Sequence, residues 1–162
     1  MTAEKYENML KSVEEKRLVG IIKTSSRLAT LTVYILYPSV LVFLMLTKSP
    51  NLVKTVLVPM ISFLAVSFAR KLINRQRPYE KFCVAPLSER KRTGLSMPSR
   101  HTFSAFVIGT VTLFVIPVIG IVSATCGVII AVSRILLGLH YPSDVAVGAL
   151  IGIVFGLTVL FF

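Results

Sequence analysis

Apolar residues run almost unbroken through most of this chain after its first thirty positions, and polar residues gather at a few points between the runs. Residues 28–46 form the first run, about 19 residues and enough for one helical crossing of a bilayer's hydrocarbon core. A short turn at 47–51 carries two breakers, Pro50 and Asn51. Residues 52–69 form the second run. Residues 102–139 are apolar for roughly two crossings' length and must fold back once; Pro117 and Gly120, within 116–120, supply the strong break. Residues 145–162 form the last run. Ahead of all of these, residues 4–27 scatter Met9, Leu10, Val13, Leu18, Val19, Ile21 and Ile22 among lysines and arginines, the pattern of an amphipathic helix. Two placements fit that helix: flat on the membrane surface, or packed against its own domain. The predicted fold class is all-α, an integral membrane helical bundle. It has about five transmembrane helices in a domain over 28–162 and an amphipathic N-terminal surface helix over 1–27.

Composition narrows the partners. The 162 residues suit one domain, and 54% of them are hydrophobic. The mean hydropathy of +0.79 is too apolar for a soluble globule. The formal net charge of +11 calls for something anionic. Nucleic acid is excluded as a partner by the lack of any binding module. Membrane lipids and an anionic substrate remain. Cys83 and Cys126 lie in unlike settings without metal-ligand spacing and are expected as free thiols. The first residues lack a signal peptide's short apolar core and cleavage site, so the membrane is expected to be entered by internal spans that stay. Gly148, Gly152 and Gly156 line one face of the last run and permit close helix approach. That face serves either a homo-oligomer or packing within the bundle.

Candidate chemistry sits where the apolar runs end. Arg70, Asn74 and Arg77 are spaced to share one helix face, with Pro78 ending the helix at Arg77. Lys71 lies well round from Arg77. A guanidinium's rigid fork suits phosphate. Arg75, Lys81, Arg90, Lys91 and Arg92 read instead as cations meeting lipid headgroups. Ser96 or Met97 is expected to cap the next helix, with Pro98 at its first position and the backbone N–H groups of Ser99 and Arg100 open to an anion. His101 follows. Farther on, His140 precedes Asp144 by four residues, close enough for the carboxylate to hold one ring nitrogen and leave the other for attack. Tyr141 caps the last helix and Pro142 starts it.

In an alternating bundle all of these clusters fall on one side of the membrane, while the turns on the other side are chemically bland. Two histidines with arginines between them describe phosphoryl transfer: cations neutralise the phosphate, one histidine attacks, the other protonates the leaving oxygen. Nothing has metal-ligand spacing, so neither metal nor cofactor is implied.

At these residues the chain resembles the type 2 phosphatidic acid phosphatase superfamily of membrane lipid phosphate phosphatases. The signature's third part, Ser-Arg, five residues, His, three residues, Asp, matches at Ser133, Arg134, His140 and Asp144. Its second part, Pro-Ser-Gly-His, matches at Pro98, Ser99 and His101, with Arg100 in the glycine's place. Its first part, Lys, six residues, Arg-Pro, matches at Arg77-Pro78, with Arg70 where the lysine belongs and Lys71 one step out of register. The resemblance implies His140 as a nucleophile forming a phosphohistidine, Asp144 as its orienter and His101 as general acid. It implies Arg77, Arg134, Ser99 and the Arg100 backbone N–H as holders of the phosphoryl oxygens, with Arg70 or Lys71 in the lysine's role. It also implies a lipid phosphate or diphosphate substrate, of polyprenyl diphosphate, phosphatidylglycerophosphate or phosphatidate type, and no metal.

Six-span relatives usually carry this site on the outer face of the membrane. This sequence is expected to lack the first of those spans, and the basic loops share a side with the basic N-terminus. The positive-inside rule therefore points to a multi-pass protein of the cell membrane with a cytoplasmic-facing site. Two rival functions are a lipid-phosphate binding or transport protein without turnover, and a structural membrane protein. The His140–Asp144 pairing argues against the first, and two histidines on one side argue against the second.

Overall fold

In a computed structural model of the chain, which describes residues 1–88 and 93–161, every regular element is helical. Helix α1 spans Ala3–Glu15, α2 Val19–Leu46, α3 Asn51–Ile73 and α4 Pro78–Lys81. Then come α5 over Arg100–Leu113, α6 over Pro117–Leu136 and α7 over Pro142–Leu157, closed by a 3-10 turn at Thr158–Phe161.

Among the described residues, four segments are long and apolar enough to cross a membrane: Val19–Leu46, Asn51–Lys81, Pro117–Leu136 and Pro142–Phe161. Large apolar side chains such as Ile35, Leu64, Phe68, Ile121 and Leu150 stand exposed on them. In water that would be a liability; against lipid it is the matched surface. The fifth expected crossing is α5. Its 14 residues rise about 21 Å, short of a hydrocarbon core of about 30 Å. It packs against α6 and α7 above all, and also against α2 and α3. Phe103, Ala105, Val107 and Val111 are buried along it. α5 is thus the axis of the bundle rather than one of its lipid-facing staves.

The glycine stripe explains how α7 reaches that axis. A Cβ on Gly148 would lie 2.7 Å from the Ser99 carbonyl oxygen, and one on Gly152 would lie 2.7 Å from that of Phe103. One on Gly156 would lie 2.5 Å from Thr110 Cβ. The stripe is therefore filled by α5 of the same chain. Of the two uses open to Gly148, Gly152 and Gly156, packing within the bundle is the one the structure shows.

The N-terminal stretch breaks sooner than its composition suggests. Arg17 adopts left-handed backbone (φ 52) and separates α1 from α2 with no glycine or proline to announce it. The first crossing helix accordingly begins at Val19 rather than at Leu28. Of the two placements open to the amphipathic helix, packing on its own domain is what α1 shows. Tyr6 and Leu10 are buried against Tyr79, Leu137 and Leu139. The Tyr6 hydroxyl donates to the Gly138 carbonyl oxygen at 3.0 Å. Burial, with Tyr79 and Tyr141 nearby, pushes its pKa up to about 12, so the phenol keeps its proton to donate.

Candidate active site

α3 does not run on to Arg77. It stops at Ile73, because Asn74 turns left-handed (φ 37, ψ 44) and its N–H closes the last turn on the Arg70 carbonyl oxygen. Arg70, Asn74 and Arg77 therefore do not share a helix face, contrary to expectation. Arg77 instead caps α4 in extended backbone, with Pro78 as the first helical residue. Glu80 ties this corner together. It accepts from the Arg77 backbone N–H at 2.7 Å and, through its other oxygen, from the Gly94 N–H at 2.9 Å. The two arginines still converge, by this longer route.

Their guanidinium groups hold the loop that leads into α5. Arg70 donates to the carbonyl oxygens of Leu95 and Pro98. Arg77 donates to those of Gly94 at 3.0 Å and Leu139 at 3.3 Å. The loop ends in a cis Met97–Pro98 peptide. The cap of α5 is Ser99, with Arg100 first in the helix, and not Ser96 or Met97 with Pro98 as expected.

Asp144 is the most heavily engaged group. It is fully buried in the first turn of α7. Its Oδ2 accepts from the Tyr141 backbone N–H at 3.1 Å and from the Ser96 hydroxyl, and lies 3.6 Å from His140 Nδ1. Its Oδ1 accepts from Arg75 Nη1 at 2.7 Å. Arg75 also donates to Ser143 Oγ at 3.0 Å and stacks over the Tyr141 ring, 4.3 Å from its centroid. A buried carboxylate is costly unless paired and hydrogen-bonded, and here both oxygens are occupied.

His140 itself is 3% exposed. Burial pushes its pKa below the usual 6.5; Asp144 pulls it up, and Arg77 and Arg70 push it down again. The net shift keeps the ring neutral at neutral pH. With Asp144 and Ser96 on the Nδ1 side, a proton on Nδ1 leaves the lone pair on Nε2.

His140, His101, Arg70, Arg77, Arg100 and Arg134 all line one cavity of about 100 Å³. Ser88 and Leu139 also line it. That volume is well under the 300 Å³ or so at which drug-sized sites begin, and suits a group the size of a phosphate. Among the described residues, no Asp or Glu lines the cavity. Two of the residues expected to hold phosphate are not on this wall. Ser99 is fully buried: its hydroxyl lies 3.0 Å from Thr102 Oγ1, and its backbone N–H donates to the Asp144 carbonyl oxygen at 2.9 Å. The open N–H expected at Ser99 is thus taken. Lys71 is exposed and lines a neighbouring cavity of about 390 Å³ beside Arg70, Arg77 and Arg100. Three residues that the sequence reading left out of the site belong to it: Arg75 and Ser96 on Asp144, and Ser88 on the cavity wall. Arg75 offered no local signal, since its partner is 69 positions away.

Residues 51–162, which hold every one of these side chains, match the family model described as the PAP2 superfamily. The chain belongs to the PAP2 superfamily. Its similarity to individual PAP2 proteins is partial in sequence and nearly complete in fold. Decaprenylphosphoryl-5-phosphoribose phosphatase of Mycobacterium tuberculosis is 37% identical over 91 residues, covering 54% of this chain and 47% of that protein. The chain thus spans about half the length of that relative. The crystal structure of Aquifex aeolicus LpxE superposes with a TM-score of 0.76 at 27% identity, over 98% of this chain and 94% of LpxE. That of the PAP2-type phosphatidylglycerolphosphate phosphatase of Bacillus subtilis superposes with a TM-score of 0.73 at 20% identity, over 98% and 84%. The bundle around α5 is therefore a PAP2 fold, with the cavity at one end of it.

Proposed function

We propose that this protein is a membrane phosphatase that removes a phosphate from a lipid phosphate or diphosphate through a phosphohistidine. The observation that carries this reading is the cavity of about 100 Å³ shared by a buried neutral imidazole, a second imidazole and four arginines. In the proposed reaction the scissile phosphate sits among Arg70, Arg77 and Arg134, whose charge offsets that of the transition state, with the Arg100 backbone N–H beside them. The His140 Nε2 lone pair forms the P–N bond as the bond from phosphorus to the lipid oxygen breaks. His101 gives a proton to that oxygen. Water then attacks the phosphohistidine, passing a proton to His101, and the P–N bond breaks to release phosphate. Asp144 holds the Nδ1 side throughout and stabilises the ring as it gains positive charge.

The substrate class follows from the setting and from the relatives. Crossing helices flank the cavity, and the relatives are named for decaprenylphosphoryl-5-phosphoribose and phosphatidylglycerolphosphate. The test is inorganic phosphate released by detergent-purified protein in EDTA from a polyprenyl diphosphate, phosphatidylglycerophosphate and phosphatidate, with His140→Ala in parallel. EDTA-resistant release that is lost in the variant is expected. Release that survives His140→Ala would remove His140 as the nucleophile. No release from any lipid by folded protein would favour a binding or transport protein.

A further inference from the structure

Arg100 is in an unfavourable place for a cation. It is the first residue of α5, where the helix dipole presents its positive end. It is half-buried. Among the described residues its guanidinium has no carboxylate partner; its contact is the Phe63 ring, 5.6 Å from the centroid. A ring face orients a guanidinium without neutralising it. The neighbouring arginines have protein partners: Arg70 and Arg77 hold backbone carbonyls, and Arg75 holds Asp144.

Its position is also a junction. Arg100 lines the cavity of about 100 Å³ and the basic one of about 390 Å³ beside it. It also lines a groove of about 360 Å³ that it shares with His101, Tyr34 and Phe63. That groove lies on the His101 side, where the leaving group must be if His101 protonates it. The charges point the same way. Among the described residues, four arginines and no carboxylate line the small cavity, and a phosphomonoester brings only about −2.

We propose that the Arg100 side chain reads a second phosphoryl group on the leaving side of the scissile phosphate, so that the preferred substrate is a lipid with two phosphoryl groups. This rests on the phosphatase reading above. For a diphosphate, the P–N bond forms at His140 as the bridging P–O bond breaks. The electron pair stays on the departing lipid monophosphate, which Arg100 neutralises and His101 protonates. A phosphomonoester set beyond a phosphodiester offers the same second oxyanion.

Matched pairs separate these sources: a polyprenyl diphosphate against the monophosphate of the same chain, and phosphatidylglycerophosphate against phosphatidate of the same acyl chains. Arg100→Gly keeps the backbone N–H and removes the guanidinium; Arg100→Lys returns a charge. In at least one pair the wild-type kcat/KM is expected to favour the doubly phosphorylated lipid by about tenfold or more. Arg100→Gly should bring that ratio close to one, with partial recovery in Arg100→Lys. The pair that responds identifies the second group. Turnover of all four lipids with ratios that Arg100→Gly leaves unchanged would overturn the proposal and spare the phosphatase reading. If folded protein turns over none of them, the phosphatase reading falls, and thermal protection by inorganic pyrophosphate and phosphate decides the site. Protection by pyrophosphate at about tenfold lower concentration, lost in Arg100→Gly, supports it. Equal protection in the wild type overturns it.

Discussion

Arg75 and Asp144 are 69 residues apart in the chain and 2.7 Å apart in space. The pair joins the end of α3 to the start of α7, and the same carboxylate faces His140. In the proposed mechanism Arg75 acts on the imidazole through Asp144, as a positioning residue. Arg75→Gln is expected to lower kcat by roughly ten- to a hundredfold while KM changes little, the usual cost of losing a partner behind a reacting group. Arg75→Lys should recover part of the loss, since it restores the charge but not the stack on Tyr141. Steady-state kinetics on one lipid check both variants. An equal loss through KM would mean that Arg75 touches substrate instead.

Acid should abolish the proposed activity below neutrality. Burial holds the folded-state pKa of His140 under 6.5, so the neutral ring persists into mildly acidic solution. The acid limb of kcat/KM, which reports the unliganded protein, is expected to be centred below 6.5. The unfolded chain binds this proton more readily than the folded one. The group's stabilising contribution is therefore complete well above about 6.5 and is lost as pH falls through that value toward the lower folded pKa. Arg75→Gln leaves Asp144 more negative in effect, raises the affinity of His140 for its proton and should move the acid limb to higher pH. A pH–rate profile of wild type and variant reads both shifts, and a limb centred above 7 in the wild type would contradict the neutral nucleophile.

Leaving-group chemistry isolates His101. His101→Asn should cost about 10²–10⁴-fold on a lipid phosphate, whose alkoxide needs a proton. On an aryl phosphate with an acidic phenol the loss should be far smaller. Equal losses on both substrates would assign His101 to phosphate binding rather than proton donation.

The contact between α5 and α7 predicts where the fold is brittle. A Cβ at Gly152 would meet the Phe103 carbonyl oxygen at 2.7 Å and Phe106 Cβ at 2.9 Å. Gly152→Ala should destabilise by about 1–3 kcal/mol through overpacking. Leu150→Ala, at a lipid-facing and 62% exposed position, should have little effect. Thermal unfolding in detergent separates them, and light scattering should show no change in oligomeric state in either variant.

Sidedness can be read with a residue already in place. Cys83 is exposed on the segment after α4, and Cys126 is buried in α6. With Cys126→Ala, Cys83 is expected to resist an impermeant thiol reagent in intact cells and to react after permeabilisation. Ready labelling in intact cells would put the site on the outer face.

Much of this was legible because membrane depth makes sequence simple. Long apolar runs, a proline–glycine break and the His140–Asp144 spacing are local signals, and each one survives in the structure. The parts that misread were those decided at a distance. Arg70 and Arg77 reach one cavity by way of the left-handed Asn74 and the corner held by Glu80, not by a shared helix face. Pro at the first position and Glu at the third of α4 were visible, but nothing local said that a four-residue helix begins there. Ser99 sits in the right motif, yet the close approach of Gly148 draws its backbone inward to Asp144. The glycine stripe was ambiguous in principle, because small residues announce a close contact without naming the partner.

The bond from Tyr6 to Gly138 has a practical edge. Gly138 has φ +73, and a Cβ there would lie 2.5 Å from the Tyr6 hydroxyl, so the turn two residues before His140 is shaped against the chain's own beginning. The first dozen residues are therefore part of the mould in which the imidazole is set. Displacing Tyr6 would disturb the setting of His140 from outside the cavity, which no residue of α1 lines.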